Sequence, residues 1–353
     1  MSARAAMADA LTLNPASPTK TFVLEAHADE PGAYLEDLAG APNVEATDDA
    51  YIFRVGTEHG TFWVDQLNPR FWSFHTDMRT DRASSALNSW VGSRRDLDWV
   101  WLPSEHLRHI WPGARARRVR TDFRGRALLG GAGADTEDLR VQLSGRNAEA
   151  LLDFISSSDE FRSAVSFDGV ETSLADPDFG VVREAVNRMG KFAVSGDSFE
   201  LHSLFVSTVV DRYSRLVQLC EQKALGWESS GTEEGGGNVV GGPVVILFSK
   251  PIPDLPNFLE TLFSSRAPFR LWGIPEITSQ GVAEVEAVDL HVGQRLRFDV
   301  GDLWMRIYLE QGSCGNTIAR LVSNLQHRFD GALRLADPEL DEAVGRHLEP
   351  MAA

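Results

Sequence analysis

A unit of secondary structure recurs three times along this chain, and repetition at a fixed spacing constrains a fold more than any single motif does. Each copy begins with a short β-rich run, continues with a helix, and then carries more strand-like sequence and a second helix. The β-rich runs are Thr21–His27, Leu139–Gly145 and Val244–Lys250, and the helix cores that follow them are Tyr34–Leu38, Leu151–Ile155 and Phe258–Leu262. The second helices lie around Leu87, Leu216 and Leu321.

The second and third copies keep the most regular spacing. The distances along the chain are 107 residues from Leu152 to Leu259, 105 from Leu216 to Leu321, and 105 from Gly196-Asp197 to Gly301-Asp302. The first copy is less regular, because 117 residues separate Leu35 from Leu152 and 129 separate Leu87 from Leu216. The second and third copies are therefore the best-matched pair.

The third copy shows the local structure of the unit most clearly. Arg295–Val300 alternates polar and apolar residues, which is typical of a half-buried strand. Gly301-Asp302 predicts a hairpin turn, and Leu303–Leu309 is rich in aromatic and β-branched residues and predicts the partner strand. After the break at Gly312–Gly315, Asn316 or Thr317 is expected to cap a helix. In that helix Ile318, Leu321, Val322 and Leu325 form one apolar stripe.

We therefore predict an α+β protein of three related modules, each an antiparallel sheet with two helices packed on one face, in the order β-α-β-β-β-α-β. The predicted segments are a disordered leader at 1–20, module 1 at 21–129 with an arginine-rich extension at 104–129, module 2 at 137–228, a flexible linker at 229–242, and module 3 at 243–353 with a C-terminal helix. The element order resembles that of TATA-binding-protein-like and helix-grip modules. This resemblance is one of pattern alone and carries no functional residues with it.

Composition limits the kinds of partner. The net charge of −17 disfavours indiscriminate binding to nucleic acid or to an anionic membrane. No apolar run reaches the roughly 18–20 residues that cross a bilayer, so we expect no membrane partner. The chain has two cysteines, Cys220 and Cys314, which excludes a disulfide framework and a zinc ribbon. We expect a bacterial cytoplasmic protein without a cofactor.

One segment departs from the acidic character of the chain. Between Arg79 and Arg126 there are eleven arginines and five acids, so this segment has a net charge of +6. Arginine beside tryptophan is typical of surfaces that bind an acidic protein or stack on nucleic-acid bases. The predicted partner-binding residues are Arg108, Trp111, Arg115, Arg117, Arg118, Arg120 and Arg124. The alternative is that these arginines pair with acids of the same chain.

Three groups of residues are weak candidates for chemistry. His75, Asp77 and Asp81 lie where a strand gives way to a helix, so they are candidates for acid–base catalysis or for holding a metal. His106 and His109 are three residues apart and are candidate metal ligands, although they do not match the HExxH pattern.

Cys314 precedes a helix N-terminus, where the helix dipole lowers a thiol pKa, and is a candidate nucleophile. Its base would be His27, His202 or His291, and only the fold can bring one of them near it. No P-loop, dinucleotide fingerprint or GxSxG motif is present.

The function predicted from these features is non-enzymatic. We expect a binding or scaffold protein of a cytoplasmic complex that contacts a protein partner through the arginine- and tryptophan-rich segment of module 1. The first alternative is a metal-assisted hydrolase that uses His75, Asp77 and Asp81. The second is a nucleic-acid-engaging module built on the basic segment 79–126, although the net charge opposes it.

Overall fold

The computed structural model describes residues 2–11, 18–111, 113–125, 128, 138–229 and 237–346. The helices within them are α1 Ala3–Ala10, α2 Pro31–Ala39, α3 Thr80–Ser93, α4 Ser104–Arg108, α5 Ala148–Ser156, α6 Asp159–Arg162, α7 Phe199–Gln222, α8 Leu255–Leu262, α9 Asn316–Arg328 and α10 Pro338–Asp341, with a 3-10 turn at Ala41–Asn43 and a π-helical turn at Glu342–Arg346. None of the helices in this part of the chain is both long and apolar enough to span a bilayer.

The strands form a large sheet, a small sheet and one separate hairpin. The strands of the large sheet are β1 Thr19–Ala26, β2 Val44–Ala46, β3 Ile52–Thr57, β4 Gly60–Asp65, β5 Phe71–Thr76, β6 Leu97–Trp99, β7 Arg118–Phe123, β8 Leu139–Ser144, β9 Gly169–Asp176, β10 Gly180–Asn187 and β11 Lys191–Gly196. The hairpin pairs β12 Gly226–Ser229 with β13 Gly237–Val240. The small sheet contains β14 Val244–Leu247, β15 Leu271–Ile277, β16 Ala283–Asp289, β17 Arg295–Val300, β18 Trp304–Leu309 and β19 Arg334–Leu335.

Antiparallel pairing links the strands of both sheets. The large sheet runs in the order β2-β3-β4-β5-β1-β11-β10-β9-β7-β8, and β6 also pairs with β1. The small sheet runs in the order β15-β16-β17-β18-β14-β19. The predicted α+β class is confirmed.

Two cores lie on opposite faces of the large sheet, and β1 belongs to both. Phe22 and Leu24 pack with α2 and α3 on one face, whereas Val23 faces the core that contains α7 and α9. That second core continues into the small sheet, so the long helices α7 and α9 join the two sheets in one apolar interior. Because every residue of β1 is buried, a polar side chain on this strand needs a partner inside the protein.

The predicted order β-α-β-β-β-α-β is wrong by one strand in the first and third copies, which each have four strands between their two helices, and the pattern of strand pairing recurs only in part. In the first copy, the first strand β1 pairs with β5 on one edge and with β6, the last strand of the copy, on the other. In the third copy, the first strand β14 pairs in the same way with β18 and with the last strand β19. In the middle copy the opening strand β8 pairs with β7, and β11 pairs with β1. The prediction of three related modules is therefore not confirmed.

The local predictions for the third copy agree with the structure except at the helix cap. β17 and β18 form the predicted hairpin at Gly301-Asp302. However, the N-cap of α9 is Gly315. The side chain of Asn316 bonds instead to Tyr213 and to the carbonyl oxygen of Trp99. The side chain of Thr317 bonds to Asp289. Tertiary contacts thus take the side chains that we expected to cap the helix.

α9 is also more deeply buried than a single apolar stripe implies. All residues from Asn316 to His327 are buried. Segments next to the large sheet contact the helix through Arg188, and the small sheet contacts it through Asp289. A helix enclosed on both sides carries its polar residues into the interior, where each of them requires a partner.

The ends and the predicted linkers differ from expectation in part. Within the expected disordered leader 1–20, Ala3–Ala10 forms a helix whose Met7 packs with Ile52 and Phe199. Within the predicted flexible linker 229–242, Ser229 belongs to β12 and Gly237–Val240 forms β13, and 230–236 lie outside the described residues. The predicted C-terminal helix begins as α10 and continues as the π-helical turn. The glycine-rich stretch 130–134 lies outside the described residues.

Candidate functional site

The inner face of β1 carries the functional side chains. Side chains alternate along a strand. The face of β1 that carries α7 and α9 therefore receives Thr21, Val23 and Glu25, and His27, the first residue after the strand, continues this alternation. Glu25 has no exposed surface, whereas the His27 side chain is 34% exposed. A fully buried carboxylate at this position requires charged or hydrogen-bonding partners.

Two loops of the small-sheet half supply those partners. His291 lies in the loop between β16 and β17, and Cys314 lies in the loop between β18 and α9. His291 Nε2 donates to Glu25 Oε2 at 2.9 Å, and the Cys314 thiol lies 3.3 Å from the same oxygen. His27 Nε2 is 3.5 Å from Glu25 Oε1. Glu25, His27, His291 and Cys314 form a four-residue cluster whose potential ligand atoms all lie within 4.8 Å of one another.

Arg70 and Glu221 border the four-residue cluster on its solvent side. Arg70 Nε donates to Glu25 Oε1 at 2.6 Å, and its Nη2 donates to Cys314 Sγ at 3.2 Å and to Glu221 Oε1 at 2.7 Å. The same Glu221 oxygen accepts the backbone N–H of Gly315 at 2.9 Å. The N-terminus of α9 is therefore already occupied by a carboxylate, which is the charge that a helix dipole favours there.

The charges around the cluster set the protonation states of two of its members. Burial alone would raise the pKa of Glu25, but hydrogen bonds from His27 and His291 and the charge of Arg70 hold this pKa well below its usual value. Burial and the nearby charge of Glu25 raise the pKa of the Cys314 thiol well above its usual value. Cys314 is therefore a protonated thiol here, and the thiolate expected of a nucleophile at a helix N-terminus is disfavoured.

A buried ion-pair network lies next to the four-residue cluster. Arg320 of α9 donates to Asp98 and Asp289 and, through Nε, to the carbonyl oxygen of Phe269 at 2.9 Å. Asp289 also accepts the backbone N–H of His291 at 3.0 Å. The network therefore fixes the loop that presents His291 to Glu25.

The predicted group of His75, Asp77 and Asp81 does not converge on one site. His75 is buried in β5, and its Nδ1 is 2.7 Å from the Thr21 hydroxyl. Asp77 is exposed, and Asp81 is exposed in the first turn of α3 and pairs with Arg79 at 3.3 Å. The histidine points into the protein while the acids lie at its surface.

The predicted metal ligands His106 and His109 also diverge. His106 is buried, and its Nε2 lies 2.7 Å from the carbonyl oxygen of Ala343. His109 is partly exposed and lies 3.6 Å from Glu105. The spacing of three residues predicted that they share a helix face, but α4 ends at Arg108 and His109 is its C-cap residue.

Two of the buried histidines, His75 and His106, make the fold sensitive to acid. Burial lowers the pKa of His75 and of His106 well below the usual value, and the charges of His202 and Arg212 lower them further. Below about pH 6.5 the unfolded chain binds protons at these positions and the folded chain does not. The unfolding free energy is therefore expected to fall as the pH drops below 6.5, by about 1 kcal/mol for each histidine at pH 5.5.

Urea unfolding at pH 7.0 and 5.5 measures this loss. The two histidines together account for a loss of unfolding free energy between pH 7.0 and pH 5.5. His106→Gln should remove about half of that loss. The explanation is wrong if replacing both His75 and His106 leaves the pH dependence of the unfolding free energy unchanged.

The arginine-rich segment is largely paired within the chain. In the part of the chain that the structure describes, six of its arginines form ion pairs with acids. The pairs are Arg79–Asp81, Arg94–Asp37 and Asp96, Arg108–Asp153, Arg118–Glu171, Arg120–Asp168 and Arg124–Asp122. Trp111 packs against Phe205, with ring centroids 5.4 Å apart. Arg115 and Arg117 are exposed, and their side chains form no ion pair with the described residues, so a partner contact stays a prediction.

Sequence reasoning found part of the four-residue cluster. It named Cys314 and gave His27 and His291 as possible neighbours, and the fold brings both of them to the thiol. It missed Glu25 and Arg70. The available signal was Glu25 inside an apolar β-run with His27 two residues later, because an acid on a strand buried on both faces requires an unusual environment.

Comparisons with known proteins support one family relationship. The family model described as MJECL33-like protein matches residues 11–344. The protein named "Uncharacterized protein MJECL33" of Methanocaldococcus jannaschii is 27% identical over 333 residues, which cover 83% of this chain and 80% of that protein. No solved structure matches the chain.

Proposed function

The chain belongs to the MJECL33-like protein family, and we propose that it is a metalloprotein that binds one zinc ion at the four-residue cluster. The observation that carries the proposal is the convergence of a carboxylate, two imidazoles and a thiol within 4.8 Å. These donors come from positions as far apart as 25 and 314, so local sequence does not account for their meeting.

The donor chemistry is that of a transition-metal site. Zinc in proteins is bound by cysteine sulfur, histidine nitrogen and carboxylate oxygen, usually four donors in a tetrahedron. Thiolate and imidazole select against magnesium and calcium, which prefer oxygen ligands alone. Two histidines, one cysteine and one glutamate therefore favour zinc.

The spacing of the donor atoms also fits. Zinc–nitrogen bonds of about 2.0–2.1 Å and zinc–sulfur bonds of about 2.3 Å place neighbouring donors of a tetrahedron roughly 3.3–3.6 Å apart. The separation is 3.3 Å between Cys314 Sγ and Glu25 Oε2 and 3.5 Å between His27 Nε2 and Glu25 Oε1. His291 is closer to Glu25, at 2.9 Å. All potential ligand atoms lie within 4.8 Å of one another, so the wider separations must shorten when the ion binds.

The two ring nitrogens of His291 have different surroundings. Its Nδ1 is buried and has no hydrogen-bond partner among the residues that the structure describes. An imidazole with only one of its two ring nitrogens satisfied is costly inside a protein. The proposed zinc ligand is Nε2, which faces Glu25, so Nδ1 is not the proposed ligand atom.

The position of Arg70 is compatible with a bound cation. Its guanidinium now balances Glu25, and its charge opposes a metal ion at the same carboxylate. Arg70 also pairs with Glu221 at 2.7 Å and is 23% exposed. It can therefore turn away from Glu25 and keep a partner, while the thiol loses its proton to the solvent as it becomes a ligand.

A zinc ion at this place would hold the two halves of the fold together. Glu25 and His27 lie on the central strand of the large sheet and just beyond it, whereas His291 and Cys314 belong to loops of the small-sheet half. Because the His27 side chain is 34% exposed, an ion can enter from its side. We propose that the ion joins the sheets, and hydrolysis at His75, Asp77 and Asp81 forms no part of the proposal because these side chains diverge.

Metal content and ligand substitution test the proposal. We expect the purified full chain to contain about one zinc per chain and to bind cobalt with a thiolate-to-cobalt charge-transfer band in the near ultraviolet. Cys314→Ser should remove that band and weaken zinc binding at least about 100-fold, because ligand losses exceed the 10–100-fold effect of neighbouring residues. A competing chromogenic chelator measures the affinity.

Two other residues provide matched controls. Cys220 is the second buried cysteine, and Cys220→Ser should keep the cobalt band. His59 has the same exposed fraction as His27, 34%, so His59→Asn should retain zinc whereas His27→Asn should lose affinity. A wild-type chain that binds neither zinc nor cobalt, or Cys314→Ser with wild-type affinity, contradicts the proposal.

A further inference from the structure

No helix of the described residues covers the face of the large sheet opposite α7 where β7, β9, β10 and β11 lie side by side; this is called the bare part of the sheet. Along these strands the apolar residues Val182 and Phe192 point inward to the core, so the alternate residues point outward. The α2 and α3 layer packs on this face further along the sheet, against β1 and its other neighbours. No helix of the described residues contributes to the cavity that forms on the bare part.

That cavity has a small-residue floor and a basic rim. It has a volume of about 230 Å³. Its floor includes Gly169, Ala185 and Ala193, and its rim includes Arg118, Arg120 and Lys191. These six residues form the sheet cradle. Small side chains in the floor let a ligand approach the backbone of the sheet, and the rim offers cationic donors to it.

We propose that the sheet cradle binds a small phosphate-bearing anion, with Lys191 as the central contact and Arg118 and Arg120 at the rim. This site lies on the opposite face of the sheet from the four-residue cluster and does not depend on the metal.

Lys191 is the residue that lacks an anion. Its ammonium lies 5.6 Å from the centroid of the Phe22 ring and pairs with no carboxylate among the described residues. The pKa of Lys191 is lowered by burial and then by the positive charges of Lys20 and Arg120. A half-buried cation surrounded by other cations gains from a bound anion, which supplies the charge that the protein does not.

The two arginines can contribute without losing their structural partners. Arg118 pairs at 2.8 Å with Glu171, which also lines the cavity, and Arg120 pairs with Asp168 at 2.5 Å. Their side chains are 49% and 44% exposed. Each guanidinium carries five N–H donors, so some remain for a phosphate after one carboxylate is bound.

The size and the overall charge favour a small ligand over a polyanion. The volume of about 230 Å³ lies below the roughly 300–1,000 Å³ of pockets for drug-sized ligands. The net charge of −17 opposes the approach of a long nucleic acid outside the cradle. A phosphate group with a short organic part meets both limits.

Calorimetric titration of the full chain tests the inference with two probes, inorganic phosphate and glycerol 3-phosphate, in a chloride buffer. We expect both to bind and glycerol to give no heat. Lys191→Gln should raise the Kd of both probes about tenfold or more, because it removes a hydrogen bond between charged groups. Lys250→Gln is the matched control, since Lys250 is another half-buried lysine against aromatic rings but lies outside the cradle, and it should leave the Kd unchanged.

Three results would overturn the inference. They are a wild-type chain without heat for either phosphate probe, an unchanged Kd in Lys191→Gln, and a single-stranded oligonucleotide that binds through Lys191 more tightly than glycerol 3-phosphate. If Lys191→Gln proves unstable, Arg118→Gln replaces it, because Arg118 is half exposed. A several-fold weaker binding of both probes is then the supporting result, and an unchanged Kd again overturns the inference.

Discussion

Replacing Arg320 with methionine is expected to lower the unfolding free energy by about 3–5 kcal/mol, which is the typical cost of breaking a buried ion pair by removing one partner. Arg320 is 1% exposed and donates to Asp98 and Asp289, which are 0% and 1% exposed. Methionine fills most of the volume but leaves both carboxylates without this cation. Arg270 remains 3.3 Å from Asp98, whereas Asp289 keeps no arginine among the described residues.

Arg297→Met is the matched control for this effect. Arg297 also pairs with two acids, Glu284 at 3.2 Å and Asp299 at 3.5 Å, but its side chain is 49% exposed. Solvent screens such pairs, so we expect a loss of less than about 1 kcal/mol. Urea unfolding of both variants gives the comparison. Combining Arg320→Met with Asp289→Asn should recover part of the stability, and equal losses for Arg320→Met and Arg297→Met would contradict the assigned role.

Replacing Gly315 with alanine is expected to cost about 3 kcal/mol or more, at the upper end of overpacking effects. A Cβ on Gly315 would lie 2.1 Å from the carbonyl oxygen of Val217 and 3.1 Å from Glu221 Cγ. Val217 lies inside α7, whose backbone cannot move by itself. The N-terminus of α9 must therefore shift away from α7, and Cys314 shifts with it.

This variant has two measurable consequences. Thermal and urea unfolding should both detect the lost stability, and zinc affinity should fall because Cys314 leaves Glu25. Gly92→Ala is the control, because no atom lies within 4 Å of its Cβ position in α3. It should be neutral or stabilise the fold by up to about 1 kcal/mol. Wild-type stability and zinc binding in Gly315→Ala would show that the two helices are not held this closely.

The second and third copies of the repeat show how far local patterns reach. Alternation in β17 and β18 and the glycine between them were sufficient to predict a hairpin. The same reasoning treated Gly196-Asp197 as the equivalent of Gly301-Asp302. In the structure, Gly196 ends β11 and is followed by α7, so the two glycines occupy different places. Spacing along the chain does not reveal whether a strand continues into a hairpin or into a helix.

The candidate site depended even more on long-range contacts. Glu25 and His27 share a face because a strand alternates, which the sequence establishes. Their meeting with His291 and Cys314 spans about 260–290 residues and depends on how α7 and α9 join the two sheets. The arginine-rich segment shows the same limit, since its composition suggested a binding surface while its acidic partners Asp153, Asp168 and Glu171 lie outside the segment.

The sequence by itself determined the α+β class, the hairpin of β17 and β18, and the faces on which side chains of one strand lie. These features follow from the 2.0- and 3.6-residue periods of strands and helices, which act over a few residues. Only the tertiary structure decided that β11 pairs with β1, that α9 is enclosed, and that Glu25 meets Cys314. Strand pairing and helix burial depend on which apolar faces cover one another, and many arrangements of the same elements satisfy the local patterns.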